Sequence, residues 1–405
     1  MNKEIIPKDW KRIKLKEVLT EVTERNKEEK VKKVLSVTNS QGFVNQDEYF
    51  EGTVHSADIS NYKIVRKNQF AYNPSRVNVG SIDILEDYDE GALSPMYVVF
   101  EVDKDKLLPE YFKYYFKTQR FYENVKNNTQ GSVRNSLSFK ALTDFEYLLP
   151  PIKEQEKIVN ILYNIDRILL VIDSNINSVI LEKNNIIDET LNDNNCIEKT
   201  FNQLIDKKII EDIMDGNHGE LHPKSSDYVD RGIPFIMANN IHDGILDVLN
   251  CVYLKKEQTD KLRKGFAKKG DILLTHKGTI GNVGFVPYNI EYDYIMLTPQ
   301  VTYYRVSSNN KVLHKSFVYY YLQSSEFQRK IKLLSMQSTR AYIGITEQKK
   351  LKIKIPKYEK QTQICKILNR IDHKIMLMHE KKQNYQKLEK GLIQQLLTGK
   401  VRVKI

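Results

Sequence analysis

Cysteine is scarce in this 405-residue chain, and Cys196, Cys251 and Cys365 stand far apart. They form neither a CxxC pair nor a framework, so a disulfide scaffold is excluded and a reducing, cytoplasmic setting is predicted. Nowhere do about 18 apolar residues follow one another, and no membrane span is expected. The opening stretch MNKEIIPKDWKRIKLKEV is charged and has no apolar core, so it is not expected to act as a signal peptide. Phosphate-cradling loops are missing too: no GxGxxG follows a strand-like run, and no GxxxxGK[ST] occurs. No Ser/His/Asp or Cys/His set stands out. These absences point to a binder rather than a catalyst, with no metal or cofactor held by the chain itself.

Three partial motifs fall short. Tyr72–Arg76, YNPSR, is close to the Asn-Pro-Pro-aromatic loop of amino-methyltransferases but lacks the second proline and the aromatic. His218–His222, HGELH, has the i, i+4 spacing of a zinc pair, yet it lies among Gly and Pro rather than on a helical pattern. Gly278–Gly284, GTIGNVG, fits neither nucleotide fingerprint and is expected to be a turn between strands.

Positive charge is in excess, with 63 Lys and Arg against 52 Asp and Glu, a formal +11. That favours a polyanionic partner, although a basic protein with no such partner has the same composition. The stronger signal is an internal repeat. PPIKEQEKIVNILYNID (Pro150–Asp166) returns as PKYEKQTQICKILNRID (Pro356–Asp372), with seven identities in seventeen positions, all 206 residues apart. The same offset aligns Tyr111–Arg134 with Phe317–Arg340: Tyr114 and Tyr115 meet Tyr320 and Tyr321, and Phe121 meets Phe327. Further upstream the register slips by two residues, and LSPMYVVFEV (Leu93–Val102) faces LTPQVTYYRV (Leu297–Val306). A period this long is a duplicated domain rather than a solenoid.

Each copy ends in a long helical pattern. Ile158, Leu162, Ile165, Leu169, Ile172, Ile176, Val179 and Ile186 follow a heptad seam. Ile364, Leu368, Ile371, Ile375, Met378, Tyr385, Leu392 and Leu396 repeat its phase. Lys183, Lys382 and Glu389 interrupt the seams; such polar residues cost stability but fix register. Pro150 and Pro356 precede the helices, and Gly399 suits a C-terminal cap. A lone seam of about 40 residues, about 60 Å, needs a partner. The other copy is the economical one, and packing of each helix on its own domain is the alternative. The remaining sequence predicts an α+β (mixed α/β) fold. Short β-rich runs such as MYVVFEV, GDILLTH and QVTYYRV alternate with turns, and a helical stretch follows in each copy. The expected domains are 1–150, a helix at 151–195, a second domain at 196–356 and a helix at 357–405.

Two matched pairs of polar loops are the binding candidates. One pair is Asn73, Ser75, Arg76 and Asn78 against Thr275, His276, Lys277 and Thr279. The other is Ser132, Arg134 and Asn135 against Ser338, Thr339 and Arg340. Such side chains read base edges and clamp phosphates; singly, each loop is equally a solvated turn. The tyrosine runs, at helical spacing, are expected in the core.

The entrance LPPIKEQEKI, two alternating recognition domains and helices, and the ending LIQQLLTGKVRV together resemble the specificity subunit of type I restriction–modification systems. So do YNPSRVNVGSI, LSPMYVVFEV, GDILLTHKGTIGNVG and Gly216–Ile241, the last adding Asn217 and His218 as DNA-binding candidates. The resemblance implies two duplicated target-recognition domains, separated by two long antiparallel helices in a pseudo-two-fold coiled coil. Each domain would read half of a bipartite double-stranded DNA target through the major groove. The helices would set the spacer and dock two methylation subunits, which would carry S-adenosylmethionine. Two motor–endonuclease subunits could join. Glu154, Gln155, Glu156 and Gln361, at the helix entrances, are the docking candidates. The different sequences of the two domains' upstream parts imply an asymmetric target. An adaptor whose paired helices bind protein and whose domains bind something other than DNA is the alternative.

Overall fold

The computed structural model describes residues 7–49, 55–129, 136–219, 222–242, 244–336 and 342–404. The chain divides into two compact units, Met1–Asp173 with Glu380–Ile405, and Ser174–His379. The division falls inside both long helices rather than at the expected boundaries near 150 and 356. The reason is packing: the core of each unit takes in the start of one long helix and the end of the other.

In the first unit, Leu19–Val22, Val98–Val102, Phe70–Tyr72 and Ile82–Ile84 lie side by side in that order as one antiparallel sheet. These runs are rich in aromatic and β-branched residues, which fit a pleated, buried surface. Phe70 and Phe100 stack at 5.2 Å, and the helix Pro109–Tyr115 lays Phe112 edge-on to Phe70. Tyr111, Phe112, Tyr114 and Tyr115 are all buried, as their helical spacing predicts. A second four-stranded sheet, in the order Gly42–Asn45, Val34–Thr38, Glu90–Leu93, Lys63–Arg66, contains one parallel pair. Lys11–Lys14 pairs with Glu146–Leu149 and leads into the first long helix, Ile152–Leu191. Ile158, Leu162, Ile393 and Leu396 belong to this unit's core.

The second unit repeats the plan. Ile210–Asp215, Val301–Val306, Ile272–Lys277 and Thr279–Phe285 form the corresponding sheet in the same order. Its partner sheet has five strands, with the parallel pair again in place, between Ile233–Ile236 and Ile295–Leu297. Ile197–Thr200 pairs with Lys352–Ile355 ahead of the second long helix, Tyr358–Leu396. Ile187, Leu191, Cys365 and Leu368 enter this core. The equivalence therefore reaches upstream of Leu93, where the two halves share little sequence. Thr279–Phe285, expected as a turn, is a strand; Gly278, at φ +78°, makes the turn ahead of it, and Gly281, at φ +97°, bends within it. The later glycines serve close approach: a Cβ on Gly284 would lie 3.1 Å from Ile241.

The long helices pack antiparallel within each unit. Arg402, beyond the end of the second helix, clasps Glu154 at the start of the first at 2.6 Å. In the other unit Lys360, at the start of the second helix, meets Asp193 just past the end of the first. The polar seam residues are all paired: Lys183 with Asp372 at 2.7 Å, Lys382 with Asp173 at 2.6 Å, and Glu389 with Lys117 at 2.7 Å. Gly399 adopts φ +70°, and a Cβ there would press on Pro7 at 2.8 Å. Among the described residues no helix is long and apolar enough to cross a membrane.

Candidate nucleic-acid interface

The strand Phe70–Tyr72 delivers the first candidate loop. Asn73 closes it from within: its Oδ1 accepts from the Ser75 amide at 3.0 Å, and its own amide donates to Ser81 O at 3.0 Å. A short 3₁₀ turn, Val77–Val79, anchors through buried Val77 and ends at Gly80, φ +97°. This leaves Ser75, Arg76 and Asn78 on the surface. Asn73 is buried and holds the loop's shape instead.

In the second unit the topologically equivalent strand, Ile272–Lys277, carries a register shift between Leu274 and His276. The whole run Ile272–His276 is buried, covered on both faces, and Thr275 and His276 are fully enclosed with it. Thr275 Oγ1 accepts from the Asn282 amide at 2.9 Å, and His276 Nδ1 lies 2.8 Å from Ile343 O. Burial holds the His276 imidazole below the usual histidine range, so it is neutral at pH 7. Lys277 and Thr279 remain exposed. The two loops share one more contact: Leu137 donates to Pro74 O and Ile343 to His276 O, each at 3.0 Å. Ser132, Arg134, Asn135, Ser338, Thr339 and Arg340 lie outside the described residues.

Asn217 is also buried. It donates to Lys264 O at 2.6 Å and accepts from the Arg263 amide at 3.1 Å, fastening one loop to another. Beside it Asp215 receives Lys264 and lies 2.6 Å from His218 Nε2. Burial pushes the Asp215 carboxyl up, but the hydrogen bonds from Lys264 and His218 outweigh it and hold the group below its usual range. This platform presents His218 to a cleft of about 390 Å³, also lined by His222, Tyr228, Lys277, Thr298 and Gln300. Residues 218 and 277, far apart in sequence, thus share one site. His222, Thr298 and Gln300 were not legible as site residues. The LTPQ stretch, the counterpart of the family-like LSPM, carries the turn that lines the cleft. No group of three or more His, Cys, Asp or Glu gathers to hold a metal among the described residues.

The docking candidates divide sharply. Glu154, Gln155 and Gln361 are fully buried, and only Glu156 is exposed. Glu154 accepts from Trp10 Nε1 at 2.8 Å as well as from Arg402. Gln155 donates to Lys106 O and Pro150 O and accepts from the Leu108 amide. Gln361 makes the same three bonds, with Val312 O, Pro356 O and the His314 amide. Their amides are consumed in joining each long helix to its domain, so they offer no surface to a partner.

Two α+β units of one topology, each presenting polar and basic loops after the same strand, define a duplicated recognition protein. The chain belongs to the family of type I restriction modification DNA specificity domains, whose model matches residues 7–182 and 203–387. It is similar to the putative type I restriction enzyme MjaX specificity subunit of Methanocaldococcus jannaschii, 24% identical over 98% of this chain and 95% of that one. The MjaVIII specificity subunit of the same organism is 24% identical over 78% of this chain and 75% of its own length. Solved structures share the fold. A chain described under complex assembly and conformational transition of the type I R-M system superimposes with a TM-score of 0.59 at 13% identity, covering 98% of this chain and 99% of that one. The type-I restriction-modification system S subunit from M. genitalium gives 0.52 at 15% identity over 98% of both chains. The chain is therefore a type I restriction–modification specificity subunit with two target-recognition domains.

Proposed function

We propose that each unit reads one half of an asymmetric, bipartite double-stranded DNA target. The observation that carries this is the pair of exposed basic loops, Ser75–Arg76 and Lys277–Thr279, on topologically equivalent strands of two domains whose surfaces otherwise differ. Among the described residues neither Arg76 nor Lys277 has a carboxylate partner. A basic side chain left free beside Asn, Ser or Thr suits a phosphate or a base edge. The net charge of +11 agrees in sign.

In this reading the chain itself is non-catalytic. Two methylation subunits dock on it and bring S-adenosylmethionine, and two motor–endonuclease subunits complete the restricting assembly. The long helices set the spacer between half-sites. Readers of successive major grooves need a fixed separation of about 34–36 Å, and the role is assigned to the long helices because the first runs uninterrupted for 40 residues. Of the entrance residues, Glu156 is the one left free to meet a methylation subunit.

Long-read methylation mapping in cells with and without the chain tests the proposal. A split motif that depends on the chain is expected, and an unchanged methylome would refute it. Four residues inserted at Ser174 add about 6 Å, nearly two base pairs, and are expected to lengthen the spacer of that motif.

A further inference from the structure

We infer that the cleft of the second unit is a guanine-reading site, with Lys277 and Gln300 as its specificity-determining residues. This rests on the proposal that the unit reads DNA, and goes beyond it by naming the base.

Donor chemistry points to the base. Gln300 Oε1 faces the Ala238 amide at 3.5 Å, which leaves its nitrogen on the side of Gly278. That nitrogen lies 3.9 Å from where a Cβ on Gly278 would sit, next to Lys277. Lys277 is exposed, can only donate, and has no carboxylate partner among the described residues. Both residues line the cleft, so two donors face its interior, with the Lys277 ammonium 6.0 Å from the Tyr342 ring. Among the described residues, Asp215, the acid paired with His218, is committed to Lys264 and His218. In the major groove guanine alone presents two adjacent acceptors, N7 and O6. Adenine pairs an acceptor with a donor, thymine offers one acceptor and a methyl, and cytosine a donor.

The cleft is also built for an occupant. Thr298 is only 4% exposed, lines the cleft, and its hydroxyl has no hydrogen-bond partner among the described residues. A buried hydroxyl left unpaired is costly, and a polar ligand group would remove that cost. His222, kept neutral by burial, has its Nδ1 unpartnered as well. The Tyr228 ring provides an apolar wall.

The test uses the chain assembled with its methylation subunits and duplexes carrying the mapped motif. Each guanine of the motif is replaced in turn by 7-deazaguanine, which lacks the N7 acceptor. At one guanine the wild-type complex is expected to lose about five-fold or more in affinity, the low end for a bidentate contact. Lys277→Met and Gln300→Met complexes should bind natural and 7-deaza duplexes alike at that position while keeping full discrimination in the other half-site. That retained discrimination also shows that the variants are folded. Wild-type indifference to every 7-deazaguanine, or a motif unchanged in both variants, would overturn the cleft assignment and leave the family reading intact. Failure of the wild-type chain to direct any split motif would instead overturn the reading on which the assignment rests.

Discussion

Reversing the charge at Lys183 tests whether the two units anchor their helices by one plan. In the second unit Lys183 Nζ lies 2.7 Å from Asp372 and 2.8 Å from Gln323 Oε1, while Tyr320 donates to Asp372 at 2.8 Å. The positions 206 residues away form the matching set in the first unit. There Tyr114 donates to Asp166 at 2.7 Å, and Lys117 lies 2.7 Å from Glu389 and 3.9 Å from Asp166. The sites are equivalent but the cation has changed places: it sits on the helix at 183 in one, and on the domain at 117 in the other. Lys183→Glu sets two carboxylates together where the lysine side chain is 9% exposed and Asp372 31%. Losing one partner of a buried pair costs about 3–5 kcal/mol. The partial exposure of Asp372 places the expected loss near the lower end, at about 3 kcal/mol. Gln323→Lys alone puts a second cation beside Lys183 and should destabilise slightly. Added to Lys183→Glu it recreates the arrangement of the first unit and should recover about 1–2 kcal/mol, a coupling typical of contacting residues. Urea unfolding of the four proteins measures the cycle. If the two changes prove additive within about 0.5 kcal/mol, the equivalence of the two sites has no energetic content.

Gln155→Ala and Gln361→Ala should each cost about 1–3 kcal/mol, because each strands one buried carbonyl and leaves an amide and a second carbonyl, both part-buried, without their partner; thermal unfolding should show similar losses for the twins. Asp83, which burial raises to about 6, holds its proton more tightly folded than unfolded. Its contribution to stability therefore falls as pH rises from about 4 to 6 and stays lost above. Asp83→Asn should remove that slope and stabilise the chain at pH 7 by about 2–3 kcal/mol at most, read from urea unfolding at several pH values. Arg76→Ala should relax one position of a half-site at a cost of about 1–3 kcal/mol if the side chain reads a base. If it clamps a phosphate, the loss should fall on all sequences equally and flatten the salt dependence. Duplex binding at several salt concentrations separates these outcomes.

Legibility of the site followed the range of the interactions involved. The exposure of Arg76, Lys277 and Thr279 was legible because polar residues in a loop after a strand need only local sequence to place them at the surface. Thr275 and His276, adjacent to Lys277 and of equally suitable chemistry, are buried because elements from elsewhere in the chain cover both faces of their strand. Asn217 is drawn inside by Arg263 and Lys264, more than forty residues on. Gln155 and Gln361 looked like surface amides on a polar helix entrance, and the recipients of their bonds lie upstream in each domain.

The amino-acid sequence by itself determined the duplication and the helix seams. Heptad spacing is a local property, and on the second helix Ile371, Ile375, Met378, Lys382, Tyr385, Glu389 and Leu392 are the positions shielded from solvent along the seam. Even its polar interruptions were placed correctly, and the structure supplied their partners. Only the tertiary structure decided that the duplication extends through the sequence-poor first hundred residues of each half. Strand order there is fixed by which apolar faces can be covered together, and many different side chains satisfy that condition. It likewise decided which polar groups are spent on holding the fold and which remain free for a ligand. That division depends on neighbours brought from far along the chain, and no short window of sequence contains them.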